Sequence, residues 1–179
     1  MRHKRRFCMA DYSPEEYTRH YIVQALFKLM QEYSYEKINV TDIVQKAGVG
    51  RATFYRYFKS KEDVITFYFD HNRNNYVFQK RFYPRCKEDY VKVVVDVLNL
   101  FLQNMQPFKL LRKARLEYLY LDYLNKNFVT AFGKDYPEKS PYMPYLYSGM
   151  LFNVSMKWLD NDCAEDVNAL AETIVNAIF

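Results

Sequence analysis

Glycine and proline are scarce: this chain of 179 residues holds only four Gly and six Pro. A many-stranded sheet needs more turns than these supply, so long helices joined by few connections are favoured. Cysteine is sparse as well. Cys8, Cys86 and Cys163 are odd in number, far apart and without CxxC or histidine companions. A disulfide framework or a zinc site is therefore not expected, and the thiols read as reduced residues of a cytoplasmic protein. No apolar run approaches ~20 residues, so neither a transmembrane helix nor a membrane partner is expected. The first residues, MRHKRRFCMADYS, are basic but lack the apolar stretch of a signal peptide. Catalytic patterns are missing too: there is no Gly-rich phosphate loop, no G-x-S-x-G and no metal-spaced His/Cys/Asp cluster. The three histidines, His3, His20 and His71, are scattered. The carboxylates Asp162, Glu165 and Asp166 sit at a helix start, where capping accounts for them. Enzymatic activity, a cofactor and a metal are accordingly not expected.

Apolar and aromatic side chains are abundant. Half the residues are hydrophobic and 18% are aromatic, with 18 Tyr and 14 Phe. A sizeable core can be buried, as one domain or as two small ones sharing it. Tyrosine adds a hydroxyl to its apolar area, so such an interior can include a partly polar cavity. The net charge of +5 is unevenly placed: residues 1–63 hold 12 Lys and Arg against 8 Asp and Glu, and residues 64–179 hold 14 against 13. The basic excess lies in the first third, where a phosphate-bearing partner would be met.

Residues 1–12 read as a basic arm, with Arg2, Lys4, Arg5 and Arg6. Such an arm is either a solubilising tail or an extension that reaches DNA phosphates or the minor groove. Ser13, Pro14 and Glu16 then form a capping box with proline at the first helical position. Ile22, Ala25, Leu26, Leu29 and Met30 recur at helical spacing to near Tyr33–Tyr35. Asn39, with Asp42 three residues on, opens a second helix that carries Ile43, Val44 and Ala47. Gly48 supplies the turn and Val49 plugs the small core. A third helix starts at Gly50 or Arg51. Phe54 and Phe58 should face inward, leaving Arg51, Ala52, Tyr55 and Arg56 outside and Thr53 and Tyr57 at the edges. Ser60 caps a fourth helix, with Glu62 and Asp63 in its first turn, running to about Gln79–Phe82. Pro84 interrupts it. Later helices are expected from Lys87 to Asn104, from Pro107 through Leu124, over Tyr142–Asp160 and over Cys163–Ile178, with a loop from Gly133 to Pro144. The short run Val91–Val95 could be a strand, but the continuing spacing favours helix.

A short helix, a glycine turn and a second short helix dense in cationic and hydroxyl side chains is how a helix-turn-helix reader of duplex DNA looks in sequence. The segment V-x-D-I-x-x-x-A-G-V-x-x-A-T-F-Y-R-Y-F-K-S-K-E-D-V, Val40 to Val64, resembles the TetR-type (TetR/AcrR) bacterial transcriptional regulators. With the first helix included the resemblance covers about residues 13–72, and it weakens beyond residue 75. Gly50 stands where the family often has Ser, Ala52 where it often has Gly, Asn39 for a usual Thr and Val44 for a usual Ala. Gly50 is a weaker cap by a few tenths of a kcal/mol at most. Gly50 and Ala52 bear on which bases are read.

The resemblance implies an all-α fold of about nine helices. Residues 13–72 would be the DNA-binding domain and residues 73–179 a helical effector and dimerisation domain. It implies that Arg51 and Arg56 enter the major groove and that Thr53 and Tyr55 contact backbone or a thymine methyl. Thr41 and Tyr57 would bond phosphate, and Lys61 would join a phosphate clamp. The expected partners are a palindromic double-stranded DNA operator, a second copy of the chain, and a small-molecule or protein effector. The dimer interface would use Met150, Leu151, Val154, Trp158 and Leu159 on one helix and Val167, Leu170, Ala171, Ile174, Val175 and Ile178 on the next. The alternative use of these stripes is the protomer's own core. Candidate effector-pocket residues are Tyr68, His71, Tyr90, Phe101, Tyr118 and Tyr123. Aromatics at such spacing also build plain cores. The stretch from Ser148–Gly149 to Trp158–Leu159 is similar to regulators of dihydroxyacetone kinase operons, in which a partner protein can replace the small ligand. The implied function is a homodimeric repressor released from DNA by an effector. Alternatives are a partner-controlled regulator or activator of the same fold, and an interaction module that no longer reads DNA. Tyr55, Tyr57 and Lys61 are all present, against the last of these.

Overall fold

The computed structural model describes residues 13–73, 86–135 and 140–178. The described residues form nine α-helices, with no strand among them. The expected basic arm, the continuation of the fourth helix beyond residue 73 and part of the loop before Pro144 lie outside the described residues.

Helix α1 spans Pro14–Glu32. Its capping box is complete: Ser13 Oγ accepts from the Glu16 N–H at 3.3 Å, and Glu16 Oε2 accepts from the Ser13 N–H at 2.8 Å. A 3₁₀ turn at Tyr35–Lys37 leads to α2, Val40–Ala47. There Asn39 and Asp42 form a second reciprocal box, at 3.1 and 2.8 Å. Helix α3, Arg51–Tyr57, follows, then α4, Lys61–Arg73. Ser60 caps α4 by accepting from the Asp63 N–H at 3.2 Å.

By contacts the chain divides into two compact units, Met1–Val64 and Ile65–Phe179, with the division inside α4. In the first unit α1 packs on α2 and α2 on α3. Ile22, Leu26, Ile43, Phe54 and Val64 are completely buried, which stabilises these short helices more than their own propensity can.

The second unit holds α5 (Lys87–Gln103), α6 (Met105–Lys113), α7 (Tyr118–Asp135), α8 (Met143–Asp160) and α9 (Val167–Asn176). Helix α7 packs along α8, α5 along α9, and α6 touches both α5 and α8. Aromatic rings fill the centre. Phe101 stacks on Phe108 with centroids 4.2 Å apart, and Phe108 meets Tyr120 edge-on at 4.6 Å.

Three boundaries differ from expectation. The single helix expected from Pro107 to Leu124 is two, α6 and α7, separated at Arg115, whose φ is +56°. The turn is held by Leu116 N–H on Leu111 O at 2.9 Å and by Arg112 paired with Glu117 at 2.9 Å. Helix α7 runs past Gly133 to Asp135. The last helix starts at Val167 rather than Cys163. Asp162 and Cys163 take φ of +54° and +53°, which stops a helix, and Asp166 then caps α9 by accepting from the Asn168 and Ala169 N–H groups at 3.0 and 3.1 Å. Ion pairs fasten α6 to this turn: Lys109 to Asp162 at 2.5 Å and Arg112 to Asp160 at 3.1 Å.

Candidate nucleic-acid interface

Gly48 terminates α2 with φ +71°, and its N–H reaches back to the last carbonyls of that helix. Left-handed backbone of this kind strains any residue with a β-carbon. Val49 then donates to Val44 O at 3.0 Å, and Gly50 enters α3 in extended conformation with no side-chain cap. The result is a tight helix-turn-helix in which Ile43, Val44 and Phe54 are buried.

Burial of Phe54 fixes the rotation of α3. Arg51, Ala52, Tyr55 and Arg56 are exposed, and Thr53 and Tyr57 are half-buried at its edges, as the spacing of Phe54 and Phe58 indicated. Tyr55 keeps 52% of its surface accessible. Arg51 lies 6.0 Å from the Tyr55 ring centre and Arg56 lies 5.9 Å from that of Tyr57. Arg19, from α1, approaches the Tyr57 ring at 4.9 Å. Thr41 is exposed in the first turn of α2, where free N–H groups and the positive end of the helix dipole favour an anion.

Lys61, which the resemblance implies joins a phosphate clamp, also meets two backbone carbonyls. Its ammonium donates to the Tyr35 carbonyl at 2.8 Å and to the Ile38 carbonyl at 2.6 Å, and lies 4.0 Å from the Tyr35 ring centre. The Tyr35 hydroxyl donates to Glu62 Oε1 at 2.5 Å. Burial pushes the Glu62 carboxyl up, but hydrogen bonds from Tyr35, a backbone N–H and Ser60, with the Lys61 charge, hold it below its ordinary value. Neither Tyr35 nor Arg19 was singled out from sequence. Their partners are tens of residues away, and no local pattern announces them.

The candidate dimer residues are divided by the fold. Leu151, Trp158 and Ile174 are buried within the protomer, at 5%, 2% and 3% exposure, as are Leu159, Ala171 and Val175. These residues of the two stripes pack within the protomer. Met150, Val154, Val167 and Leu170 are half-buried and Ile178 is exposed. The open apolar surface of α8 is nearer its start, at Tyr142, Tyr145 and Leu146.

Of the candidate pocket residues, Phe101 and Tyr123 both meet the Tyr120 ring, at 6.0 and 6.2 Å. Tyr118 is 48% exposed, so it lines no interior pocket. Phe101 is locked in the aromatic core. Tyr123 lies against Phe69 at 5.6 Å and Tyr120 at 6.2 Å. Tyr68 donates to Asn104 Oδ1 at 2.6 Å, buried His71 stacks on Phe67 at 5.5 Å, and Tyr90 is half-buried. Tyr120, which the sequence reading passed over, is at the centre of the cluster, and burial pushes its phenol far above the ordinary tyrosine range.

Residues 22–66 match the family described as bacterial regulatory proteins, tetR family. The chain carries a TetR-family domain. A curated relative, the dhaKLM operon transcriptional activator DhaS of Lactococcus lactis, is 38% identical over 55 residues, 31% of this chain and 29% of that relative. The match therefore spans less than a third of the relative's length. Among solved structures, Lin0861 from Listeria innocua superposes with a TM-score of 0.77 at 20% identity, covering 91% of this chain and 90% of its own. A TetR transcriptional regulator from Streptococcus agalactiae superposes at 0.63 with 21% identity, covering 92% and 94%. At these identities the likeness shows a shared all-α fold extending past the TetR-family domain. The named curated relative is a transcriptional activator.

Proposed function

We propose that this protein is a sequence-specific DNA-binding transcriptional regulator that works as a cytoplasmic homodimer. The outward face of α3 carries the reading: Arg51, Ala52, Tyr55 and Arg56 are exposed on a short helix whose rotation is set by buried Phe54. Arg51 and Arg56 would address guanine edges, each worth about 1–3 kcal/mol of discrimination. Ala52, Thr53 and Tyr55 would meet backbone or thymine methyls, and Thr41 and Tyr57 would bond phosphates that fix register. Two copies would place their α3 helices on successive major-groove faces of a palindromic operator. The exposed start of α8, with Tyr142, Tyr145 and Leu146, supports a second copy there. No described helix is long and apolar enough to cross a membrane.

In this reading the protein is a repressor, and an effector releases it by favouring a state that presents α3 badly. A second reading, activation under control of a partner protein, is favoured by the name of the DhaS relative, an activator, and by the packed aromatic centre where a small ligand would have to enter. Transcription from the adjoining promoter with and without the protein separates them: lower output marks a repressor and higher output an activator.

A further inference from the structure

Helix α4 belongs to both units. Val64, before the division, is completely buried in the first. Phe69, after it, is buried in the aromatic centre of the second, 5.8 Å from Phe108 and 5.5 Å from Tyr120. The sequence here runs Phe67, Tyr68, Phe69, and only the middle ring carries a hydroxyl. That hydroxyl donates to Asn104 Oδ1, 36 residues along the chain, at 2.6 Å.

Asn104 is the joint between two helices: it ends α5 and immediately precedes α6. Its backbone N–H donates to Phe101 O at 3.0 Å, and its carbonyl accepts from the Phe108 N–H at 3.2 Å. An asparagine before a helix ordinarily turns its side-chain oxygen onto the N–H of the second or third helical residue. Here the third is Pro107, which has no N–H, and the side chain caps nothing in α6. The amide is used elsewhere. Its Nδ2 donates at 2.7 Å to Leu100 O, one of the last carbonyls of α5, while its Oδ1 takes the Tyr68 hydroxyl from α4. A short amide supplies this donor and this acceptor together. Aspartate would keep the acceptor and lose the donor, and leucine would lose both.

We propose that Tyr68 and Asn104 are positioning residues for DNA binding: their hydrogen bond clamps α4 to the α5–α6 joint and so fixes the helix that runs on from the helix-turn-helix. Without the clamp α4 populates other placements, and the apparent affinity falls with the fraction that remains competent to bind. The effect on affinity rests on the DNA-binding reading; the effect on α4 itself does not.

The test uses the full chain, with Tyr68→Phe, Asn104→Ala and the double variant, at a temperature where circular dichroism shows all of them folded. Affinity for the DNA upstream of the gene is read at two salt concentrations, and amide hydrogen exchange along α4 is read without DNA. Each single variant is expected to bind about fivefold more weakly. The double variant should bind no more weakly than the weaker single one, with the salt slope unchanged because no phosphate contact is removed. In Tyr68→Phe the α4 amides after Val64 should exchange about fivefold faster, with those of α1 and α2 unchanged. Full affinity in both single variants overturns the proposal even where their melting temperatures fall, because the pair would then only stabilise the fold. A double variant whose loss is the product of the two single losses also overturns it. If Asn104→Ala does not fold, Tyr68→Phe, which removes only a hydroxyl, decides by affinity and exchange. If the unaltered protein binds no DNA, the functional reading fails, and exchange alone decides the clamp: unchanged exchange along α4 overturns it.

Discussion

The guanidinium of Arg19, on α1, lies 4.9 Å from the centre of the Tyr57 ring, on α3. The contact ties the last turn of α3 to α1. It holds the ring of a residue whose hydroxyl is proposed to meet phosphate. A cation over an aromatic face at a half-exposed site contributes about 0.5–1 kcal/mol. Arg19→Ala is therefore expected to lower the melting temperature by about 1–4 °C. Tyr57→Phe keeps the ring contact, so its melting temperature should stay with the parent while its DNA affinity falls. Thermal unfolding followed by circular dichroism, with a titration of each variant against DNA, checks both.

Gly48 has open space around the position of a β-carbon, yet its φ is +71°. The cost of replacing it is therefore one of backbone strain and not of collision. Gly48→Ala should destabilise the protein by about 1–2 kcal/mol. Gly48→Asn, which tolerates left-handed backbone better, should cost less. Denaturant titrations that rank the two in the opposite order would contradict this account of the turn.

The Glu62 carboxyl sits below its ordinary value of 4.5 in the folded chain. A carboxylate depressed by folding stabilises the protein at pH above its unfolded value, and this contribution is lost as pH falls through the folded one. The melting temperature of the parent should exceed that of Glu62→Gln at pH 7, and the gap should close progressively below about pH 4.5. A gap that persists undiminished at pH 3 would show that the charge of Glu62 is not what Tyr35 and Lys61 recognise.

Leu146 is 64% exposed at the start of α8, whereas Trp158, near the end of the same helix, is 2% exposed. If the proposed homodimer uses this surface, Leu146→Asp should split it, measured by sedimentation, while leaving helix content intact. Trp158→Ala should instead unfold or loosen the protomer itself, at a cost of about 3–5 kcal/mol.

The helix-turn-helix was readable from the residues because its signals are local. Capping boxes at Ser13–Glu16 and Asn39–Asp42, the glycine at the turn, and the spacing of Phe54 and Phe58 each act within four residues, and together they define which side of α3 faces out. The break between α6 and α7 was not readable. No glycine or proline marks it; Arg115 takes a left-handed conformation that the Arg112–Glu117 pair and the Leu116–Leu111 bond hold in place. The apolar stripes of α8 and α9 were visible, but periodicity reports only that a face is buried. It cannot distinguish Leu151 and Ile174 packing within the protomer from packing on a second copy. Lys61 matched a motif that implied phosphate, and the carbonyls it meets belong to residues more than twenty positions earlier.

The most direct test is a titration of the protein against the DNA upstream of its own gene. It should be run at two salt concentrations, with excess random DNA as competitor and an Arg51→Ala, Tyr55→Ala double variant alongside. Tight, salt-sensitive binding that survives the competitor and is lost in the variant is the result expected if α3 reads sequence. Binding by the variant that equals the parent's would contradict the assignment of α3 as the reading helix.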